Sequence, residues 1–139
     1  TAPKFYFIDP GIQRALAKYL DVPLKQSSYA YGDAFEHFLI QEIRAYKDYK
    51  KKRFRLSYWR DKHKNEVDLI IDDRIAIEIK TTTRIDRRDL RGLVAIENES
   101  SWHLRIVVSF DQLSQQTNDG IFCYYWEEFL TKLWDGEFD

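Results

Sequence analysis

Two neighbouring stretches of alternating apolar and polar residues constrain the fold of this chain most strongly. They cover residues 66–72 and 74–80, and alternation of this kind is typical of half-buried strands. The charged side chains fall on one parity, and they are Glu66, Asp68, Glu78 and Lys80. The other parity is apolar: Val67, Leu69, Ile71, Ile75, Ile77 and Ile79. The pattern predicts a hairpin with one charged and one apolar face.

The register of this hairpin decides whether the charged side chains meet. A one-residue slip in register would send every side chain to the opposite face, so we pair polar positions with polar positions. Residues 72–74 then form a three-residue loop, Ile71 lies opposite Ile75, and Asp68 lies opposite Glu78. Directly opposed residues have Cβ atoms roughly 4.5–5.5 Å apart. Two carboxylates that close repel unless a cation or shared proton lies between them. Oxygen ligands suit Mg²⁺ or Mn²⁺, so we expect a metal site with Lys80 as a cationic neighbour.

The composition indicates a globular protein. A chain of 139 residues fits one compact domain, and a 44% hydrophobic content supports a packed core. No apolar run approaches the roughly 20 residues needed to cross a bilayer, so no membrane partner is expected. The single cysteine, Cys123, excludes an internal disulfide and suits a reducing, cytoplasmic location. Because the chain contains no methionine, we interpret it as a piece of a longer protein.

The charge is distributed unevenly along the chain, although the net charge is −1. Residues 44–91 carry 16 Lys+Arg against 9 Asp+Glu, whereas residues 92–139 carry 2 against 9. Since the basic segment contains the candidate acids, we expect a polyanionic partner such as nucleic acid. The candidate contacts are Lys51, Lys52, Arg53, Arg60, Arg84, Arg87 and Arg88, with Trp59 as a stacking ring. The alternative for the basic residues is a solvated surface without a nucleic-acid partner. The alternative for the aromatic residues is that one of Tyr58 and Trp59 belongs to the core.

The predicted elements place these residues in a mixed α/β fold. We expect a helix over 27–46, strands over 54–60, 66–72 and 74–80, a helix over 86–97, strands over 104–110 and 121–125, and a last helix from Trp126. Residues 47–53 and 114–120 are expected to be connections. In the helix over 86–97, Leu90, Leu93, Val94 and Ile96 should face inward. The near-continuous apolar run over 104–110 predicts a strand in the centre of the sheet. A strand over 4–8 and a helix capped by Asp9 should precede this region.

This arrangement resembles the PD-(D/E)XK, or restriction-endonuclease-like, nuclease superfamily, whose core is helix, three strands, helix and strand. Asp68 matches the acid of the second strand, Glu78-Ile79-Lys80 matches the Glu-x-Lys motif, and Glu36 matches a glutamate on the first helix. The proline that names the motif is absent, because Glu66-Val67 precedes Asp68. The resemblance implies Mg²⁺ or Mn²⁺ held by Asp68, Glu78, the Ile79 carbonyl and Glu36, directly or through water. Lys80 would take part in catalysis.

A closer resemblance covers nearly the whole chain. Its motifs, in order, are Phe5-Tyr-Phe-Ile-Asp-Pro-Gly11, Ala34-Phe-Glu36, Tyr58-Trp-Arg60, Glu66-Val-Asp68, Ile77-Glu-Ile-Lys80 and Asp89-Leu-Arg-Gly-Leu93. Together they are similar to the uncharacterised carboxy-terminal domain (domain of unknown function 4143) of prokaryotic AAA+-type ATPases. This implies an upstream ATPase module in the same chain, with residues 1–26 leading from it into a nuclease-like domain over 27–139. No P-loop motif occurs in these 139 residues.

Three functions are compatible with these observations. The resemblance implies Mg²⁺-dependent hydrolysis of DNA phosphodiester bonds. A catalytically inert nuclease fold that binds nucleic acid or assembles the ATPase is the second, and a protein-interaction module is the third. Single residues also have structural alternatives. Lys80 could form only a surface salt bridge with Asp68 or Glu78, and Glu36 could form a capping box with Asp33.

Overall fold

The structure, a computed structural model, describes residues 29–139 as a six-stranded mixed sheet flanked by helices, which confirms the α/β class. The predicted strand over 4–8, the helix after Asp9, the division at residue 26 and the first two residues of the helix over 27–46 lie outside the described residues. The elements are α1 (Tyr29–Tyr49), β1 (Leu56–Arg60), β2 (Glu66–Ile71), β3 (Ile75–Ile79), α2 (Arg91–Ala95), β4 (Leu104–Ser109), β5 (Gln115–Gln116), β6 (Phe122–Tyr125) and α3 (Trp126–Trp134).

The sheet has the strand order β1-β2-β3-β4-β6-β5. Strands β1, β2 and β3 pair antiparallel, β3 pairs parallel with β4, and β4 pairs parallel with β6. Strand β4 is central and almost wholly buried, as its apolar run predicted. The expectation of a plain loop over 114–120 was wrong, because Gln115–Gln116 forms a short edge strand on β6. Two exposed glutamines carry no periodic signal that could have revealed it.

The predicted register of the β2–β3 hairpin is confirmed. Ile71 pairs with Ile75 and Leu69 pairs with Ile77, so residues 72–74 form the three-residue loop. Asp72 and Asp73 both have left-handed backbone conformations, with φ values of 52° and 54°. Aspartate is among the residues that adopt this region most readily, so the loop suits its sequence.

Two hydrophobic clusters cover the two faces of the sheet. The first lies under α1 and α3 and includes Phe35, Leu39, Ile43, Leu69, Ile77, Ile106, Phe129 and Leu133. The second lies under α2 and includes Trp59, Val67, Ile70, Ala76, Leu93, Ile96, Val107 and Cys123. Val67 was expected on the first face. A register shift between Ser57 and Trp59 lies beside it, and such bulges twist a strand locally.

The helices differ from the sequence prediction at their ends and phases. Helix α1 continues to Tyr49, into the predicted connection, and β1 begins only at Leu56. The helix predicted over 86–97 is three short pieces: a 3₁₀ turn at Arg87–Leu90, α2, and a 3₁₀ turn at Glu97–Glu99. Because a 3₁₀ turn changes the helical phase, Val94 is 46% exposed rather than inward, although Leu93 is buried. No helix within residues 29–139 is long and apolar enough to cross a membrane.

Candidate metal site

Asp68 and Glu78 are brought together where the pairing of β2 with β3 ends. The last paired residues are Leu69 and Ile77, and Asp68 and Glu78 are the next residues along the two strands. The two carboxyl groups share a hydrogen bond. Beyond this point the backbone N–H of Ile79 donates to Oδ2 of Asp68 at 2.8 Å. A backbone donor of β3 therefore orients the Asp68 carboxylate toward Glu78.

Glu78 is a buried acid with only 6% of its surface exposed. Burial raises the pKa of Glu78 well above its ordinary value, and the hydrogen bond and negative charge of Asp68 raise it further. The Glu36 charge acts in the same direction, whereas the Lys80 charge lowers the pKa. At neutral pH the pair therefore retains a proton in the absence of an added cation.

Gly92 allows α2 to lie directly over this acid pair. A Cβ atom at Gly92 would stand 1.8 Å from the Glu66 carbonyl oxygen and 3.2 Å from Oε2 of Glu78. Arg105 of β4 holds the same segment, because its Nη1 donates to the Leu93 carbonyl at 2.8 Å. Sequence reasoning missed the positions of both residues. A glycine in the middle of a predicted helix was the available signal for Gly92.

Lys80 follows β3, where its backbone N–H donates to the Val108 carbonyl at 2.9 Å. Its side chain is half-buried, and its charge influences the Glu78 pKa, so the ammonium group belongs to the same site. A salt bridge of Lys80 with Asp68 or Glu78 stays the structural alternative to a role in catalysis.

Glu36 approaches the site from α1 but does not complete a three-acid cluster. Its capping-box alternative is wrong, since the helix already runs through Asp33, which pairs with His37 at 3.6 Å. Across residues 29–139, no group of three or more His, Cys, Asp or Glu side chains is placed to hold a metal ion. A ligand role for Glu36, direct or through water, stays a prediction, as does a ligand role for the Ile79 carbonyl.

The predicted basic contacts divide between the two ends of the hairpin. Arg60 lies at the acid end, where its Nε is 3.4 Å from Oε1 of the exposed Glu66. Lys52 and Arg53 lie at the loop end, where they line a cavity with Asp72. Asp72, just after β2, is four positions along the chain from Asp68, which is about 13 Å at the rise of a strand. The run that contains Lys51, Lys52 and Arg53 is therefore not beside the acids, although the sequence places it in the same basic segment.

The remaining predicted nucleic-acid contacts are surface residues, except for Trp59. Arg84, Arg87 and Arg88 are exposed in the segment between β3 and α2, where Arg88 pairs with Asp86 at 3.0 Å. Trp59 is buried at 5% exposure in the second cluster, while Tyr58 is half-buried. Trp59 also lines a cavity of about 390 Å³ that none of the candidate acids touches. Of these two rings, Tyr58 offers more surface to a base.

A family model described as "Domain of unknown function (DUF4143)" matches residues 31–129. The chain belongs to this family. The matched span contains Glu36, Asp68, Glu78, Lys80 and Gly92, so the whole candidate site lies within the DUF4143 domain. A comparison with curated proteins found no match, and a comparison with solved structures found none either.

Proposed function

We propose that this DUF4143 domain is a metal-dependent nuclease that hydrolyses DNA phosphodiester bonds. The observation that carries the proposal is the contact between the Asp68 and Glu78 carboxyl groups, with the Lys80 charge beside them. The order α1, β1, β2, β3, α2, β4, with β3 parallel to β4, agrees with a PD-(D/E)XK core. The element order and the acid pair thus support the same superfamily from independent observations.

The chemistry of the acid pair fits a divalent metal ion. Asp68 and Glu78 are oxygen donors held together against their mutual repulsion, and an ion between them would replace the shared proton. Mg²⁺ and Mn²⁺ prefer such ligands, so Asp68, Glu78 and the Ile79 carbonyl would hold the ion, with Glu36 acting through water. When bound, the ion activates water and neutralises charge on the scissile phosphate.

The protein's own groups then orient and stabilise the reacting phosphate. The Ile79 N–H fixes the Asp68 carboxylate at 2.8 Å, so this ligand needs little reorganisation. The half-buried Lys80 places a positive charge beside the pair, where it stabilises the extra negative charge of the transition state. Helix α2 shields Glu78 from water, which strengthens both electrostatic effects.

Cleavage assays test the proposal directly. Supercoiled plasmid and single-stranded DNA are incubated with Mg²⁺ or Mn²⁺ and with wild type, Asp68→Asn or Lys80→Ala. We expect each substitution to lower the rate by more than about 100-fold, because even groups that only support metal ligands contribute about 10–100-fold. Asp73→Asn is the matched control, since Asp73 is exposed in the loop of the same hairpin. Undiminished cleavage by both site variants would overturn the proposal.

A second function is a catalytically inert module that binds nucleic acid. The observation that favours it is the lack, within residues 29–139, of a three-acid group placed to hold a metal ion. Calorimetric titration with Mn²⁺ separates the two functions. Heat of binding that Asp68→Asn abolishes supports the nuclease. Absence of that heat and of cleavage, with salt-dependent DNA binding retained, supports the inert module. In both cases we propose an ATPase module of the same chain as the partner.

A further inference from the structure

We infer that Lys62, Lys64 and Arg91, here called the basic rim, hold the phosphate backbone of the nucleic acid that the acid pair acts on. This inference rests on the proposed function, because it names the surface that presents the substrate to Asp68 and Glu78. Lys62 and Lys64 lie in the loop that joins β1 to β2, and Arg91 is the first residue of α2.

The rim borders the acid pair. Glu66 opens β2 immediately after the loop, and Asp68 follows two residues later, which is about 7 Å along the strand. Arg91 directly precedes Gly92, which packs against the Glu66 carbonyl. A Cβ atom added at Gly92 would lie 3.2 Å from Oε2 of Glu78. A nucleic-acid strand that crosses the basic rim would therefore reach the Asp68 and Glu78 carboxyl groups within one or two nucleotides.

The loop that carries the rim is preorganised by the Asp61 carboxylate. That carboxylate accepts hydrogen bonds from the backbone N–H groups of His63 at 2.8 Å and Asn65 at 2.9 Å, and from Nδ2 of Asn65 at 2.9 Å. Nε of Arg91 donates to Oδ1 of Asn65 at 2.8 Å, which joins α2 to the loop. Because these groups are ordered before binding, little conformational entropy is lost when a phosphate arrives.

The charges of the rim are available to an anion. All three rim side chains are exposed, and within the described part of the chain none of them forms an ion pair. The acids that flank the loop in the sequence are engaged elsewhere, since Asp61 accepts hydrogen bonds within its own loop and Glu66 pairs with Arg60. Three cations beside a phosphodiester-cleaving site fit the repeating charge of a nucleic-acid backbone.

The experiment measures DNA affinity as a function of salt. Fluorescence anisotropy follows labelled single-stranded and duplex DNA with wild type and with the triple variant Lys62→Gln, Lys64→Gln, Arg91→Gln, in EDTA to prevent cleavage. The matched control is Lys50→Gln, Arg55→Gln, Arg74→Gln at the loop end, which removes the same charge from exposed side chains.

We expect the rim variant to bind DNA at least about tenfold more weakly at low salt, with the slope of log K against log salt lowered by about two to three. The control should bind like wild type. Arg91→Lys keeps the charge and should retain the salt slope. Circular dichroism confirms that each variant is folded. Equal losses in rim and control, or no loss in the folded rim variant, would overturn the inference.

The same assays keep this inference distinct from the proposed nuclease activity. If the rim variant loses binding while no protein cleaves DNA, the rim stands and the nuclease proposal fails. If cleavage depends on Asp68 but the rim variant binds and cleaves like wild type, the nuclease proposal stands and the rim fails. Vesicles containing phosphatidylserine serve as a further probe, and rim-dependent binding to them without DNA binding would overturn the inference.

Discussion

The two ends of the β2–β3 hairpin each hold a hydrogen-bonded acid, with opposite electrostatic consequences. At the loop end, Asp139 accepts a hydrogen bond from the Tyr46 hydroxyl at 2.6 Å and pairs with Lys52 at 3.1 Å. These contacts hold the pKa of Asp139 below its ordinary value. At the acid end, burial and the Asp68 carboxyl group raise the pKa of Glu78. The loop end therefore stabilises a charged acid, whereas the acid end penalises one.

This difference distinguishes an acid that supports the fold from one that reduces its stability. A charged Asp139 is compensated by the groups around it, so its ionisation contributes to stability above its ordinary pKa. A charged Glu78 is opposed by its surroundings, and such perturbed acids are enriched at functional sites. Under the proposed function, the acid end gives up stability for the binding of a cation.

Gly92→Ala should have the largest effect on this comparison. The new methyl carbon would stand 1.8 Å from the Glu66 carbonyl oxygen, so α2 must move away from the acid pair. We expect the free energy of unfolding in urea to fall by about 3 kcal/mol or more. Gly32→Ala in α1 is the control, because no atom lies within 4 Å of its added Cβ. Equal stability of Gly92→Ala and wild type would mean that α2 does not cover Glu78.

Glu78→Gln should stabilise the metal-free protein at neutral pH. The folded pKa of Glu78 lies above its unfolded value near 4.5, so wild-type stability decreases as pH rises from that value toward the folded pKa. Glutamine does not ionise. The variant should therefore gain more than about 1 kcal/mol at pH 7 and lose this gain below about pH 4.

Urea unfolding in EDTA at the two pH values measures this difference. Glu127→Gln on α3 is the control, since Glu127 is exposed. If wild type were more stable than Glu78→Gln at neutral pH, the conclusion that the acid end disfavours a charged carboxylate would be wrong. Cleavage by Glu78→Gln should be lost, so the same substitution separates stability from activity.

Tyr46→Phe at the loop end should have the smallest effect. It removes the hydrogen bond to Asp139 and should lower the free energy of unfolding by about 1 kcal/mol, while DNA cleavage stays unchanged. Burial, with the Asp139 contact, raises the pKa of Tyr46 to about 12. The advantage of tyrosine over phenylalanine should therefore shrink as pH rises from 10 toward 12. Loss of cleavage in this variant would show that the two ends are coupled.

Local sequence determined the hairpin and the meeting of its acids. A strand repeats every two residues, so alternation placed Asp68 and Glu78 on one face, and matching polar to polar positions set the loop over residues 72–74. The apolar run over residues 104–110 likewise indicated a central, buried strand. These features depend on contacts between residues close in sequence, which a periodic pattern records.

Only the tertiary structure decided which basic residues border the site and which acid is buried. Lys51 to Arg53 and the rim belong to one basic segment of the sequence, yet they lie at opposite ends of β2. The burial of Glu78 requires α2 to pack across β2 at Gly92. There Gly92 contacts Glu66, which is 26 residues earlier in the chain. The breaks in the helix predicted over 86–97 follow from the same packing. Such contacts join distant segments, and no local period encodes the path of the chain between them.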